Sequence, residues 1–74
     1  MDIIERLSIN LRRLRNAKDW SQEHLAEEAS IHRTYVSDLE RGARNPTITV
    51  VDKLARALGV PVGALLDPHR HPPE

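Results

Sequence analysis

Arg33, Thr34, Ser37, Asp38 and Arg41 are spaced so that, at about 100° per residue, they share one arc of a helix. All five can hydrogen-bond, and as a set they suit the edges of base pairs and the phosphates that flank them. Arg33, at the head of the arc, is expected to donate in bidentate fashion to guanine O6 and N7; a solvated surface arginine is the plainer alternative. Thr34 and Ser37 could touch a base, a thymine methyl or only a phosphate, and the spacing does not choose among these. Asp38 is the odd member, because phosphate repels a carboxylate. It either accepts from a cytosine amino group or orients Arg33 or Arg41, and the orienting role is preferred.

These side chains need a helix whose other arc is buried. Tyr35, Val36 and Leu39 supply it, so a helix is expected from about Arg33 to Arg41, closed by Gly42 in the left-handed conformation. A second helix should precede it. Ser21 can cap its first turn, and Leu25, Ala26 and Ala29 form its buried side. Ser30 and Ile31 break the chain between the two, and the small Ala26 lets the helices cross closely. The pair forms a helix-turn-helix, whose second helix lies in the major groove. Gln22, in the first turn of the earlier helix, is placed to hold a phosphate together with the helix-end N–H groups. Arg44 and Asn45 follow the reading helix and can reach the backbone or an adjacent groove, with loop solvation as the rival. Tyr35 sits on the border of the buried arc and should pack there with its hydroxyl toward a phosphate.

The remaining chain reads as scaffold. From about Asp2 to Lys18, Ile4, Leu7, Leu11 and Leu14 recur at helical spacing. Arg15 falls in the same arc, where an unpaired charge is costly; Glu40, at the flank of the reading helix's buried face, could reach it, or Arg15 could snorkel to solvent. Trp20 braces the corner before Ser21. Residues 43 to 47 form a turn, since Pro46 disfavours helix at Asn45. A fourth helix is expected from Thr49 to Leu58, with Thr49 and Asp52 as a capping box, an apolar stripe of Val51, Leu54, Ala55 and Leu58, and Gly59 at its end. A fifth, Val62 to Leu66, carries more apolar side chains than one small core requires. Val62, Leu65 and Leu66 are therefore candidates for a dimer surface, with closure of the monomer core as the alternative, and Ile9 is a weaker candidate. The domain should occupy residues 1 to 66. The tail from Asp67 has three prolines and no apolar anchor and is expected to be disordered.

Four collinear segments, LRRLR, WSQEHLAEEA, HRTYVSDLERGARNP and LARALGV, resemble the compact bacterial and phage regulators of the Cro/repressor (XRE) type. The resemblance runs from about Leu11 to Leu66. HRTYVSDLERGARN is most similar to the controller proteins of restriction–modification systems. The resemblance implies an all-α, five-helix, lambda-repressor-like DNA-binding domain, with an Arg15–Glu40 bridge tying the first helix to the third. It implies phosphate contact by Gln22 and backbone or groove contact by Arg44 and Asn45. It also implies a regulator that times restriction-endonuclease expression and controls its own promoter, with RNA polymerase as a possible contact of Glu23, Glu27 and Glu28; a solvated helix face is the rival there. Three positions depart from the family pattern: Ser30 replaces a turn glycine, His32 a hydroxyl or Asx cap, and Pro61 another capping residue. A left-handed serine would cost on the order of 1 kcal/mol.

Composition bounds these expectations. Seventy-four residues make one small domain, which buries only roughly 60% of its unfolded surface, so a second subunit is a natural source of stability. The absence of cysteine suits a reducing cytoplasm. No apolar run approaches the roughly 20 residues of a membrane span, and no signal peptide is visible. Formal net charge is zero, but the charge is segregated. Residues 1 to 18 hold five basic and two acidic side chains, 19 to 31 four acids and no base, and 32 to 45 three arginines against two acids. Neutrality predicts modest non-specific affinity for DNA.

The expected function is thus a homodimeric transcription regulator that places two reading helices in successive major grooves about 34 Å apart on a pseudo-palindromic operator. No cofactor, metal or small-molecule ligand is expected. His69 and His71 lack a thiolate or fixed carboxylate partner, and His24 and His32 would at most grip phosphate more tightly when protonated. A second class is a protein-interaction module, such as a toxin-neutralising antitoxin, that keeps the fold without reading DNA. The polar set on the reading helix argues against it, since protein interfaces favour large apolar or aromatic residues. No nucleophile–base pair or metal-ligand spacing supports an enzyme.

Overall fold

In the computed structural model, which describes residues 2 to 68, the chain forms five helices: α1 (Ile3–Ala17), α2 (Gln22–Ala29), α3 (Arg33–Glu40), α4 (Ile48–Leu58) and α5 (Gly63–Leu66). Among the described residues there is no strand. The fold is all-α, as expected. The first turns are capped by side chains at three places. Asp2 accepts from the Glu5 N–H at 2.9 Å, Ser21 from His24 at 2.9 Å, and Thr47 from Val50 at 3.2 Å. The fourth helix therefore starts one residue before the position expected for it, and its cap lies two before. Thr47, not Thr49, is its cap, and Asp52 pairs with Arg56 at 2.9 Å instead of closing a capping box. Pro46 removes one residue from helical reach, and Thr47 is the first hydroxyl after it.

The four longer helices end alike. Asp19, Ser30, Gly42 and Gly59 have positive φ, and each lets the following N–H reach a carbonyl five residues back. Ser30 adopts φ 57° and ψ 46°, and the Ile31 N–H then reaches the Ala26 carbonyl at 3.0 Å. This is the left-handed serine that the missing turn glycine implied. It aims α3 across α2, and Ile31 packs against the core behind it.

Leu7, Leu11, Leu25, Val36, Leu39, Leu54, Leu58 and Leu65, with Ala26, Ala29, Val51 and Ala55, fill one core. α1 packs on α3 and α5, and α2 on α3 and α4, so the helix-turn-helix is held from both sides. Removing one of the fully buried leucines is worth about 2–5 kcal/mol, transfer and cavity together.

Two features of α5 differ from expectation. Leu65 is 0% exposed within the single chain, so it closes the monomer core and cannot form part of a dimer surface. Val62 and Leu66 stay partly or largely accessible. The short helix is also held by polar groups of α1. Asn10, almost fully buried, donates through Nδ2 to the carbonyls of Leu65 (2.9 Å) and Asp67 (2.7 Å), and Arg6 Nε donates to Leu66 (2.8 Å). Four residues cannot satisfy their own C-terminal carbonyls, so α1 does it for them. The tail expected from Asp67 lies, from position 69 onward, outside the described residues.

Candidate nucleic-acid interface

α3 turns Val36, Leu39 and Glu40 inward and leaves Arg33 and Thr34 exposed. Tyr35, Ser37 and Asp38 are half-buried. Ser37 and Asp38 thus lie deeper than a fully exposed arc would place them. Arg41 caps the C-terminus, and Arg44 and Asn45 stand exposed on the loop beyond Gly42.

The charged groups on this surface are unequally engaged. Among the described residues Arg33 makes no side-chain hydrogen bond or ion pair. Asp38 accepts from two arginines: Arg41 Nη2 at Oδ1, and Arg44 Nη2 at Oδ2, 3.5 Å away. The Arg44 guanidinium also sits 4.2 Å from the centre of the Tyr35 ring, a cation–π contact that leans the loop against the helix. The orienting role preferred for Asp38 thus concerns Arg41 and Arg44, not Arg33.

Beneath the surface, Glu40 organises three helices. Arg15 donates to it twice, Nε to Oε2 at 2.6 Å and Nη2 to Oε1 at 2.9 Å, while Arg12 Nη2 donates to its carbonyl at 2.7 Å. Arg15 Nη1 also donates to the Trp20 carbonyl at 2.7 Å. The hydrogen bond to Glu40 raises the Arg15 pKa above the ordinary arginine value, partly offset by burial. Gln22 Nε2 donates to Glu40 Oε1 at 3.1 Å, which occupies one of its two amide N–H donors. A phosphate at this position needs the remaining amide N–H or the helix-end N–H groups.

Trp20 stacks on His24, ring centres 4.5 Å apart and planes 15° from parallel, with Lys18 Nζ 4.9 Å from the indole. It braces the corner between α1 and α2. His24 and His32 are exposed, and His24 lies 3.5 Å from Glu28. Among the described residues no His, Cys, Asp and Glu group could hold a metal; His69 and His71 fall outside them. No helix of the described residues is long and apolar enough to cross a membrane.

Sequence reasoning missed three participants. Asn10 shares an α1 arc with Leu7 and Leu14, three residues after one and four before the other, and a polar residue in that arc was the available signal. Arg12 bonds a backbone carbonyl, which leaves no mark in the sequence. Ile48 falls between the expected turn and the expected helix, yet it opens α4 and is 87% exposed. It borders an apolar groove of about 120 Å³ with Ile3, Ile4, Leu7, Pro46 and Leu66.

A helix-turn-helix family profile (HTH_3) matches residues 11–65. The chain is 47% identical over 66 residues to the control protein C.SmaI of Serratia marcescens, covering 89% of this chain and 79% of that one. It is 48% identical over 58 residues to the control protein C.BamHI of Bacillus amyloliquefaciens, covering 77% and 72%. Among solved structures, the restriction-modification controller protein C.AhdI from Aeromonas hydrophila superposes with a TM-score of 0.81 at 40% identity, over 84% of this chain and 94% of that one. With α2 and α3 joined at left-handed Ser30 and a polar, arginine-bearing edge on α3, the chain belongs to the helix-turn-helix (HTH_3, XRE-type) family of transcriptional regulators and is similar to its restriction–modification controller proteins.

Proposed function

We propose that the protein is a homodimeric regulator that reads a pseudo-palindromic operator with α3, and that it serves as the controller of a restriction–modification system, acting on its own gene and that of the endonuclease. The observation that carries the DNA-reading part is the exposure of Arg33 and Thr34 at the head of a helix whose other face is locked into the core. Arg33, Thr34, Ser37 and Arg44 read sequence, Gln22, Tyr35 and Asn45 hold the backbone, and Arg41 and Asp38 complete the surface. The residues from 1 to 66 are the DNA-binding domain, and the protein works in the cytoplasm. The controller assignment rests on the likeness to control proteins at 47% and 48% identity.

For the dimer, the exposed Ile48 and the neighbouring Leu66 and Ile3 offer a second copy an apolar surface at the start of α4 and the end of α5, with Val62 nearby in sequence. Activation, where it occurs, runs through RNA polymerase and the exposed acids Glu23, Glu27 and Glu28 of α2.

Binding selection from a random duplex library, at physiological salt and micromolar protein, tests the proposal. A symmetric motif with half-sites one helical turn apart is the expected product. Recovery of nothing beyond weak binding erased by salt would overturn it and leave a protein-interaction module as the function.

A further inference from the structure

Asp38 is a half-buried carboxylate, its side chain 19% exposed, facing two guanidinium groups that stand well out in solvent. One comes from the C-cap of α3 and the other from the loop beyond Gly42, and each uses a different carboxylate oxygen. A guanidinium carries five donors in a fixed fork. Arg41 and Arg44 each engage Asp38 through Nη2, so most of each fork remains available while the bond to Asp38 persists. Tyr35 limits Arg44 further, because the guanidinium lies over its ring. Arg33 has no such restraint among the described residues. The surface therefore carries one unrestrained arginine and two that are aimed.

Resting on the DNA-reading proposal above, we infer that Asp38 is a positioning residue for specificity. It keeps its hold on Arg41 and Arg44 in the complex, so that their remaining donors meet groove edges and phosphates only where α3 is correctly seated. A misplaced duplex cannot draw these arginines to the nearest phosphate without breaking the bonds to Asp38, and it also faces the negative charge of Asp38. Exposed ion pairs bias such a choice by roughly 1.5- to 5-fold each. Two in each subunit of a dimer make a useful discriminator. In a chain of zero net charge, this restraint falls on two of the three arginines between residues 32 and 45.

The test is Asp38→Asn, which retains shape and removes charge. Affinity is measured for the selected operator and for an unrelated duplex of equal length, across a range of salt, in the wild-type and the Arg41→Ala/Arg44→Ala backgrounds. Among the described residues the Asp38 carboxylate bonds no backbone group, and a thermal melt verifies the fold of each variant. The two affinities should move in opposite directions. Operator binding should fall by about 3- to 10-fold, and unrelated binding should rise by a similar factor with a steeper salt dependence, by up to about 0.9 in slope per released arginine. In the doubly substituted background the operator loss should vanish. A rise of both affinities by one factor would reduce Asp38 to a repelling charge and overturn the inference. An operator loss that persists without the two arginines would do so as well, pointing to direct base contact. A wild-type protein with no operator preference would instead remove the DNA-reading proposal, and this inference with it.

Discussion

Arg15 of α1 and Glu40 of α3 meet through two parallel bonds, at 2.6 and 2.9 Å, beneath the face that carries Arg33. Glu40 is only 4% exposed, and Gln22 of α2 shares one of its oxygens. The orientation of the reading helix is thus set by a charge pair inside the protein, joined to the helix that precedes it. The arrangement matches the bridge that the resemblance to XRE-type regulators implied.

Glu40→Ala should destabilise the fold by about 2–4 kcal/mol, since it leaves Arg15 largely buried without its carboxylate. Arg15→Met combined with Glu40→Leu should recover much of that loss. Urea denaturation of the three variants measures both effects, and a loss under about 1 kcal/mol for Glu40→Ala would show that Arg15 escapes to solvent. The pH dependence has a definite sign. The Arg15 pKa is raised on folding, so its stabilising contribution is fully present below the ordinary arginine value and is lost only as pH rises through the folded one. Stability should therefore be flat with respect to this group through neutral pH.

Ser30 holds a left-handed backbone without the glycine that suits it. Ser30→Gly should stabilise the protein by about 0.5–1 kcal/mol after the larger unfolded-state entropy of glycine is counted, which raises Tm by about 2–8 °C. An unchanged or lower Tm would mean that the serine side chain supplies a compensating interaction.

Arg33→Ala should weaken operator binding by about 1–3 kcal/mol per half-site and relax preference at one base position, leaving Tm and dimerisation unaltered. A uniform loss across all duplexes, with the salt slope reduced by about 1, would reassign Arg33 to a phosphate.

Ile48→Glu should prevent dimerisation without harming the monomer. Position 48 opens α4, where a negative side chain is favoured by the helix dipole, so the fold should hold. Loss of two buried isoleucines should weaken the dimer by at least about 3 kcal/mol. Sedimentation equilibrium reads the change, and an unaltered association constant would place the interface elsewhere.

Periodicity and turn chemistry made most of the fold legible. Val36 and Leu39 on one arc of α3, Leu7 and Leu11 on one arc of α1, and Ser21 and Gly42 at helix ends are local signals, and local signals survive in a one-dimensional string. Thr47 was misread because two threonines lie within one turn after Pro46, and cap selection depends on which of them takes the extended backbone. The polar face of α3 was legible by type, whereas its partners were not: Asp38 has three arginines within eight residues and takes two.

By itself the sequence determined the helical class, the helix-turn-helix and the residue types on its outer edge, because these follow from spacing and from the conformational preferences of single residues. Tertiary structure alone decided that Leu65 is core, that Ile48 is surface, that Asn10 satisfies α5 and that Asp38 takes Arg44 and leaves Arg33. Each of those depends on which groups, distant or free to rotate, come within about 3–4 Å of one another. Burial and hydrogen bonding are properties of that meeting, so no local pattern encodes them.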